Sequence, residues 1–230
     1  MPLQSFARDF SSPRRSDAAG LYSPAGARKY LNREERTRVL QGMAGLPPDR
    51  ALFCLTLAWT GARVSEVLAL SASSFQTERG IVAIRTLKRR KHHVREVPIP
   101  PALMAALDRH FGLTAAEPNA LHMDRRLWPW HRVTAWRIIK RVMTCAAISA
   151  RAASPRGLRH AFGVGTLQAG VPLNLTQRWM GHARMTTTSI YAEVCGAEEE
   201  AFAAQFWHVN DNSAVALRGI AVGHHAGQEG

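Results

Sequence analysis

The chain has 230 residues, 46% of them apolar, which is enough for one domain with a full core and too apolar for a disordered polypeptide. Thirty Lys and Arg against 17 Asp and Glu give a net charge of +13, so a polyanion is the expected partner. The longest apolar run, Ala51 to Trp59 broken by Thr56, is too short to span a bilayer, and Met1 to Arg15 carries charges without an apolar stretch, so neither a membrane protein nor a secretory signal is expected.

Cys54, Cys145 and Cys195 are odd in number, widely spaced and never paired as C-x-x-C, which reads as mostly packed, reduced thiols in a cytoplasmic protein. None of the ten histidines falls into a metal-ligand spacing; His92-His93 and His224-His225 read as exposed pairs, and no metal site is expected.

In chain order, residues 1–26 are rich in Ser, Ala, Pro, Gly and Arg without periodicity and read as a flexible basic arm, with order beginning at Tyr30. Asn32 caps a helix to about Met43, with Glu34 and Glu35 in its first turn. Pro47-Pro48-Asp49 starts an apolar helix over 49–59 that Gly61 breaks, and a short helix over 65–70 carries Val67, Leu68 and Leu70 inward. Phe75, Ile81 to Leu87 and Val94 to Ile99 alternate as three short strands, separated by Thr77-Glu78-Arg79-Gly80 and by the basic turn Arg89 to His93. Pro98, Pro100 and Pro101 end this sheet and launch a helix through Leu107, and 112–127 is a loop.

From His131 to Ala147 a helix is expected, with Val133, Trp136, Ile139 and Val142 or Met143 on one side and Arg132, Arg137, Lys140 and Arg141 mostly on the other. The basic side is either a set of contacts to a phosphate backbone or a solvated face. Ser154 caps the next helix with Pro155 at its first position, and Gly170 and Pro172 end it. A helix over 172–180 stops at Gly181, Thr186 caps the helix that carries Tyr191, and a last helix over 197–207 bears Phe202 and Phe206 before a disordered tail over 211–230. The class is mainly α with a small antiparallel three-stranded sheet.

Arg156 and Arg159 lie three residues apart at a helix N-terminus, on one side of it, with Leu158, Ala161 and Phe162 facing the core. Two guanidinium groups on a helix N-terminus make a phosphate site. Tyr191 stands downstream; a phenol titrates near ~10 and attacks nothing without help. Arginines, a histidine and a lysine gathered on one phosphate would supply that help by binding the oxygens on which charge builds.

The ordered motifs Thr60-Gly61-Ala62-Arg63-Val64-Ser65-Glu66-Val67-Leu68-Ala69-Leu70, a β-turn lysine before Arg95-Glu96-Val97-Pro98-Ile99-Pro100, Gly157-Leu158-Arg159-His160, Met180-Gly181-His182 and Thr186-Thr187-Thr188-Ser189-Ile190-Tyr191 together resemble the tyrosine recombinase (phage integrase) family over about residues 28–207. The resemblance implies that family's catalytic-domain fold over 27–210 and a site-specific recombinase or integrase of a mobile or plasmid element. It makes Tyr191 the nucleophile, leaving a 3′-phosphotyrosyl link and a free 5′-hydroxyl. Arg63 and Arg159 would grip the non-bridging oxygens, His182 would hydrogen-bond the phosphate, and Lys88, or else Lys91, would protonate the leaving oxygen. Arg89, Arg90 and Lys91 would touch double-stranded DNA, as would Arg132, Arg137, Lys140 and Arg141. No ATP, metal or other cofactor is implied, because the bond energy stays in the covalent intermediate. Phe202 and Phe206 would dock on a neighbouring copy to give a tetramer on DNA, with accessory proteins possible.

The chain departs from the family pattern in two places. Arg156 stands where the family most often has a histidine, and arginine, with no acceptor and a permanent charge, can bind phosphate but cannot take a proton from tyrosine. His160, next to Arg159, is expected to pack structurally. Only about 27 residues precede the catalytic segment, where the family usually has a helical domain that clamps DNA. The alternatives are a type IB-like topoisomerase or an idle DNA-binding accessory protein.

Overall fold

The computed structural model describes residues 20–24, 26–86, 93–114, 124–148 and 150–192. The basic turn with Lys88, Arg89, Arg90 and Lys91, most of the N-terminal arm, Cys195, and the expected helix of Phe202 and Phe206 with the tail after it lie outside the described residues.

Packing begins earlier than Tyr30. Leu21 is buried, Tyr22 bridges to Arg28, and the Tyr22 and Tyr30 hydroxyls meet at 3.2 Å. Helix α1, Arg33–Ala44, opens on the capping box that Asn32 and Glu35 make: each side chain accepts the other's backbone N–H at 2.8 Å. Helix α2, Pro48–Thr60, is apolar on nearly all sides because it is the central helix, packed against α1 and against helices that come later in the chain. Its Phe53 lies edge-on to Trp128 at 5.5 Å, and the Trp128 indole donates to the Asp49 carbonyl at 2.9 Å, which satisfies the one polar atom of a fully buried ring.

The helix expected over 65–70 is a single turn, α3, Val64–Val67, yet Val67, Leu68 and Leu70 are all buried as their pattern required. Strands β1, Phe75–Gln76, β2, Ile81–Arg85, and β3, Val94–Pro98, pair antiparallel in the order β1-β2-β3, with Val82 opposite Val97 and Ile84 opposite Arg95. Val82, Ile84 and Val97 turn inward, and so does Arg95, because side chains alternate with period two. Pro98 is tolerated in β3 because that strand is an edge. Helix α4 runs Pro101–Phe111, a turn beyond the expected Leu107, and Gly112 closes it in the left-handed conformation.

Helix α5, Arg132–Cys145, buries Ala135, Ile139, Val142 and Met143. Val133 and Trp136, expected on the buried side, are 46% and 47% exposed. At 100° per residue the stripe through 135, 139, 142 and 143 leaves position 133 nearly opposite and 136 on its flank. Cys145 is exposed, so of the two described thiols only Cys54 is packed.

Helix α6, Pro155–Gln168, starts as expected: Ser154 accepts the Gly157 N–H at 3.0 Å and proline takes the first position. Helix α7, Leu173–Met180, ends at Gly181, and a single turn, α8, Thr186–Ser189, follows. Thr186 lies inside that turn, with Met185 as its non-capping neighbour, and Tyr191 sits just beyond the helix rather than on it.

The α6 N-terminus is seated tightly on the segment before it. A Cβ at Gly157 would stand 2.0 Å from the Ala152 carbonyl oxygen, an atom of the backbone that no rotamer change can move. Gly157→Ala is therefore expected to cost about 1–3 kcal/mol or more of stability, read as a lower urea midpoint at unchanged m value.

Candidate active site

The site grows from the break between α2 and α3. Gly61 ends α2 in the left-handed region, which turns the chain so that Arg63 caps α3 with an extended backbone. Glu66, one turn on, accepts the Arg63 backbone N–H at 2.9 Å through Oε2 and the Arg63 guanidinium at 2.9 Å through Oε1. Its Oε2 also accepts from Arg95 Nη2 at 2.7 Å. Arg95, 2% exposed, spends its other donors on Thr86 Oγ1 at 3.0 Å and the Trp179 carbonyl at 2.7 Å. One buried ion pair thus fastens α3, β3 and α7 together. Burial alone would raise the Glu66 carboxyl, but Arg95, the Arg63 N–H and the Arg63 charge outweigh it and hold it below the usual carboxylate range.

Arg159, on the first turns of α6, donates Nη1 to the Gly61 carbonyl and Nη2 to the Met180 carbonyl at 2.7 Å. Both carbonyls lie at helix C-terminal ends, where the negative pole of the peptide dipoles favours a cation. Burial, followed by the charge of Arg63, pushes the Arg159 guanidinium down to about 10, which leaves it charged at neutral pH. Arg156, exposed, stands one turn before it on the rim.

His182 follows Gly181, and its Nδ1 lies 2.9 Å from the buried Thr188 hydroxyl. With Thr188 donating into Nδ1, the hydrogen of a neutral imidazole sits on Nε2. Tyr191 is 1% exposed, its ring stacked against His182 with centroids 6.3 Å apart and its hydroxyl 3.1 Å from His160 Nδ1. Gly163 of α6 makes room for the phenol: a Cβ there would lie 2.7 Å from the ring. Burial raises Tyr191 to about 12 even though Arg159, Arg156 and Arg63 pull it down. Burial and the same arginine field drop His160 to about 4 and His182 to about 3, so both imidazoles are neutral at physiological pH.

These groups line one open cavity of about 530 Å³, together with Arg132 from α5 and the backbone turn Ala62 to Ser65. Four arginines and no carboxylate among its described lining residues give it a chemistry suited to an anion of phosphate type. The described residues hold no group of three His, Cys, Asp or Glu that could seat a metal ion.

The sequence matches the Phage integrase family profile over residues 29–197. The chain belongs to the phage integrase family. It is 30% identical to the tyrosine recombinase XerA of Pyrococcus furiosus over 172 residues, 72% of this chain and 57% of that protein. It is also 30% identical to the tyrosine recombinase XerD of Corynebacterium glutamicum over 151 residues, 64% of this chain and 48% of that protein. The chain thus spans less than two thirds of the length of these curated relatives. Among solved structures, XerA recombinase superposes with a TM-score of 0.62 at 24% identity over 77% of this chain and 64% of that one. The catalytic domain of bacteriophage HP1 integrase superposes with a TM-score of 0.55 at 21% identity over 75% of this chain and 91% of that one. These likenesses establish the fold, helices around a small antiparallel sheet.

In this family member the cavity gathers Arg63, Arg156, Arg159, His182 and Tyr191 with Arg132, all singled out from sequence, Arg132 as an expected DNA contact. Arg137 and Arg141 are exposed on α5 away from the cavity lining. Lys140 is not a free basic finger: it donates to the Ala153 carbonyl at 2.9 Å and lies over the Trp136 ring, tying α5 to the approach to α6. Lys88, Arg89, Arg90 and Lys91 lie outside the described residues. His160 was expected to be packing alone, and the structure sets it on the tyrosine hydroxyl. Glu66, Arg95, Thr188 and Gly163 drew no role from sequence, although period-two alternation from Val97 back to Arg95 does mark an arginine on the inward face.

Glu66→Gln leaves Arg95 buried without its counter-charge, so a loss of about 3–5 kcal/mol is expected near pH 7. Because the folded carboxyl is held below its ordinary value of ~4.3, this stabilisation is complete above that value and drains away as pH falls through the folded pKa. The gap between parent and variant in urea unfolding is expected to narrow from pH 7 to about pH 3.

Proposed function

We propose that the chain is the catalytic part of a site-specific DNA recombinase or integrase that cuts and rejoins duplex DNA through a 3′-phosphotyrosyl intermediate. The observation that carries this reading is the convergence of the Tyr191 hydroxyl with Arg63, Arg156, Arg159 and His182 on one cavity with no carboxylate among its described lining residues. Membership of the phage integrase family supports it, as does the kinship with proteins named tyrosine recombinases. A structure of similar fold, XerH recombinase, is a pre-cleavage complex with its difH substrate.

In this reading a DNA phosphodiester enters the cavity and its non-bridging oxygens meet the Arg63 and Arg159 guanidiniums. Contacts of this charge-assisted kind are worth ~1.5–3 kcal/mol in the ground state and more as negative charge accumulates in the transition state. His182, neutral and fixed by Thr188, donates Nε2–H to the same phosphate. Tyr191 Oη forms the bond to phosphorus, the bond to the 5′-oxygen breaks, and Lys88 or Lys91 returns a proton to that oxygen. The phosphate bond energy is retained in the tyrosyl ester, so a 5′-hydroxyl from a second strand reverses the step without ATP. Arg156 contributes charge and position. A mobile or plasmid element is the natural setting, and a tetramer on DNA the working assembly.

The test is covalent capture on a pool of nicked duplexes tiled across the DNA that flanks the gene. Tyr191→Phe is expected to bind DNA within about twofold of the parent and to form no adduct; an adduct from this variant removes Tyr191 as nucleophile. Arg156→His is expected to keep capture or raise it between about pH 6 and 9, because an imidazole near its ~6.5 pKa can accept the phenolic proton. Arg156→Ala falls below both, and a histidine variant far weaker than the parent shows that arginine is the required residue there.

A further inference from the structure

The position from which the family's histidine would face the tyrosine is filled by Arg156, a group that cannot take a proton. The proton must still leave Tyr191, whose phenol is buried. On α6 the residue four places after Arg156 falls on the same helix face one turn along, and that residue is His160. Its Nδ1 lies 3.1 Å from Tyr191 Oη, inside the ≈ 2.6–3.2 Å reach expected of a general base. The residue is 9% exposed, on the wall of the cavity.

We propose that His160 is the catalytic base of this chain, taking the Tyr191 hydroxyl proton on Nδ1 as Oη bonds to phosphorus. The inference rests on the recombinase reading above. The step balances within the site: the phenolic proton passes to Nδ1 and makes an imidazolium, the P–Oη bond forms, and the P–O5′ bond breaks with its oxygen protonated by the turn lysine. In the rejoining step the imidazolium returns its proton to the departing phenolate.

The groups around the ring make its basicity depend on the substrate. Arg156 and Arg159 face it from its own helix, Lys29 from the segment before α1, His182 from beyond α7 and Tyr191 from beyond α8; among the described residues no carboxylate contributes. Burial and those cations keep the imidazole a poor base in the empty site. A phosphodiester bound between the arginines carries the opposite charge and offsets part of the field, so the base strengthens where and when a scissile phosphate is present. Without DNA the proton stays on the phenol and the nucleophile is silent.

His160→Asn keeps a side chain of similar size that can still hydrogen-bond the phenol, and removes the basic nitrogen. On the nicked duplex pool, its single-turnover capture is expected to fall by about 10²–10⁴-fold, the usual worth of general-base catalysis, with DNA affinity and urea midpoint close to the parent. The rate of the parent is expected to level off above the imidazole pKa in the complex, whereas the variant keeps rising with pH because only hydroxide can ionise its phenol. His160→Ala is expected to regain capture, saturably, with added imidazole. A His160→Asn protein within about threefold of the parent at the same pH profile, or a loss that merely follows weaker DNA binding with no imidazole rescue in His160→Ala, overturns the role. A parent chain that captures no DNA overturns the recombinase reading and this role with it, whereas capture by parent and Asn variant alike overturns the role alone.

Discussion

The buried Glu66–Arg95 pair is the constraint on which the site's geometry depends. Glu66 aims Arg63, and Arg95, bonded to Glu66, Thr86 and the Trp179 carbonyl, holds the end of α7 against the sheet. That end carries Met180, whose carbonyl receives Arg159, and then His182, on which Tyr191 stacks. Burying two opposite charges gains little net stability over an apolar pair, but it ties three distant segments to one geometry, and a mispaired alternative would strand a charge in the core.

The arginines divide into two kinds of work. Arg95 faces inward and touches only protein, whereas Arg63, Arg132 and Arg156 keep donor capacity toward the cavity. Arg159 does both, with two nitrogens anchored on helix ends and its charge still felt by Tyr191 and both histidines. A guanidinium suits this because its fork serves several acceptors at fixed angles, which a lysine ammonium does not.

Most of the architecture was legible in the residues themselves. Asn32 with Glu35, Ser154 with Pro155, and Gly61 and Gly181 mark helix ends whose physics is local. The alternation in Ile81 to Arg85 and Val94 to Pro98 gives the paired strands for the same reason. What sequence reasoning missed depends on tertiary meetings. Trp136 reads as core until the stripe is measured against Ala135 and Ile139, and the hydrogen bond from Lys140 to the Ala153 carbonyl leaves no signature in the sequence. His160 and Tyr191 are 31 positions apart, so no spacing rule connects them; only the folding back of the chain after α7, which seats Tyr191 on α6 where Gly163 leaves space for the ring, brings them together.

That same folding back bears on where the proposed nucleophile would act. The Tyr191 hydroxyl lies among arginines and histidines of its own polypeptide, so under the proposed recombinase reading the phenol is placed to attack a phosphate held by its own copy. If copies assemble on DNA as proposed, each would act on the phosphate it holds, and pairing copies would decide which strands are joined to which. Partner exchange would come from the order in which copies fire, not from sharing a tyrosine across an interface.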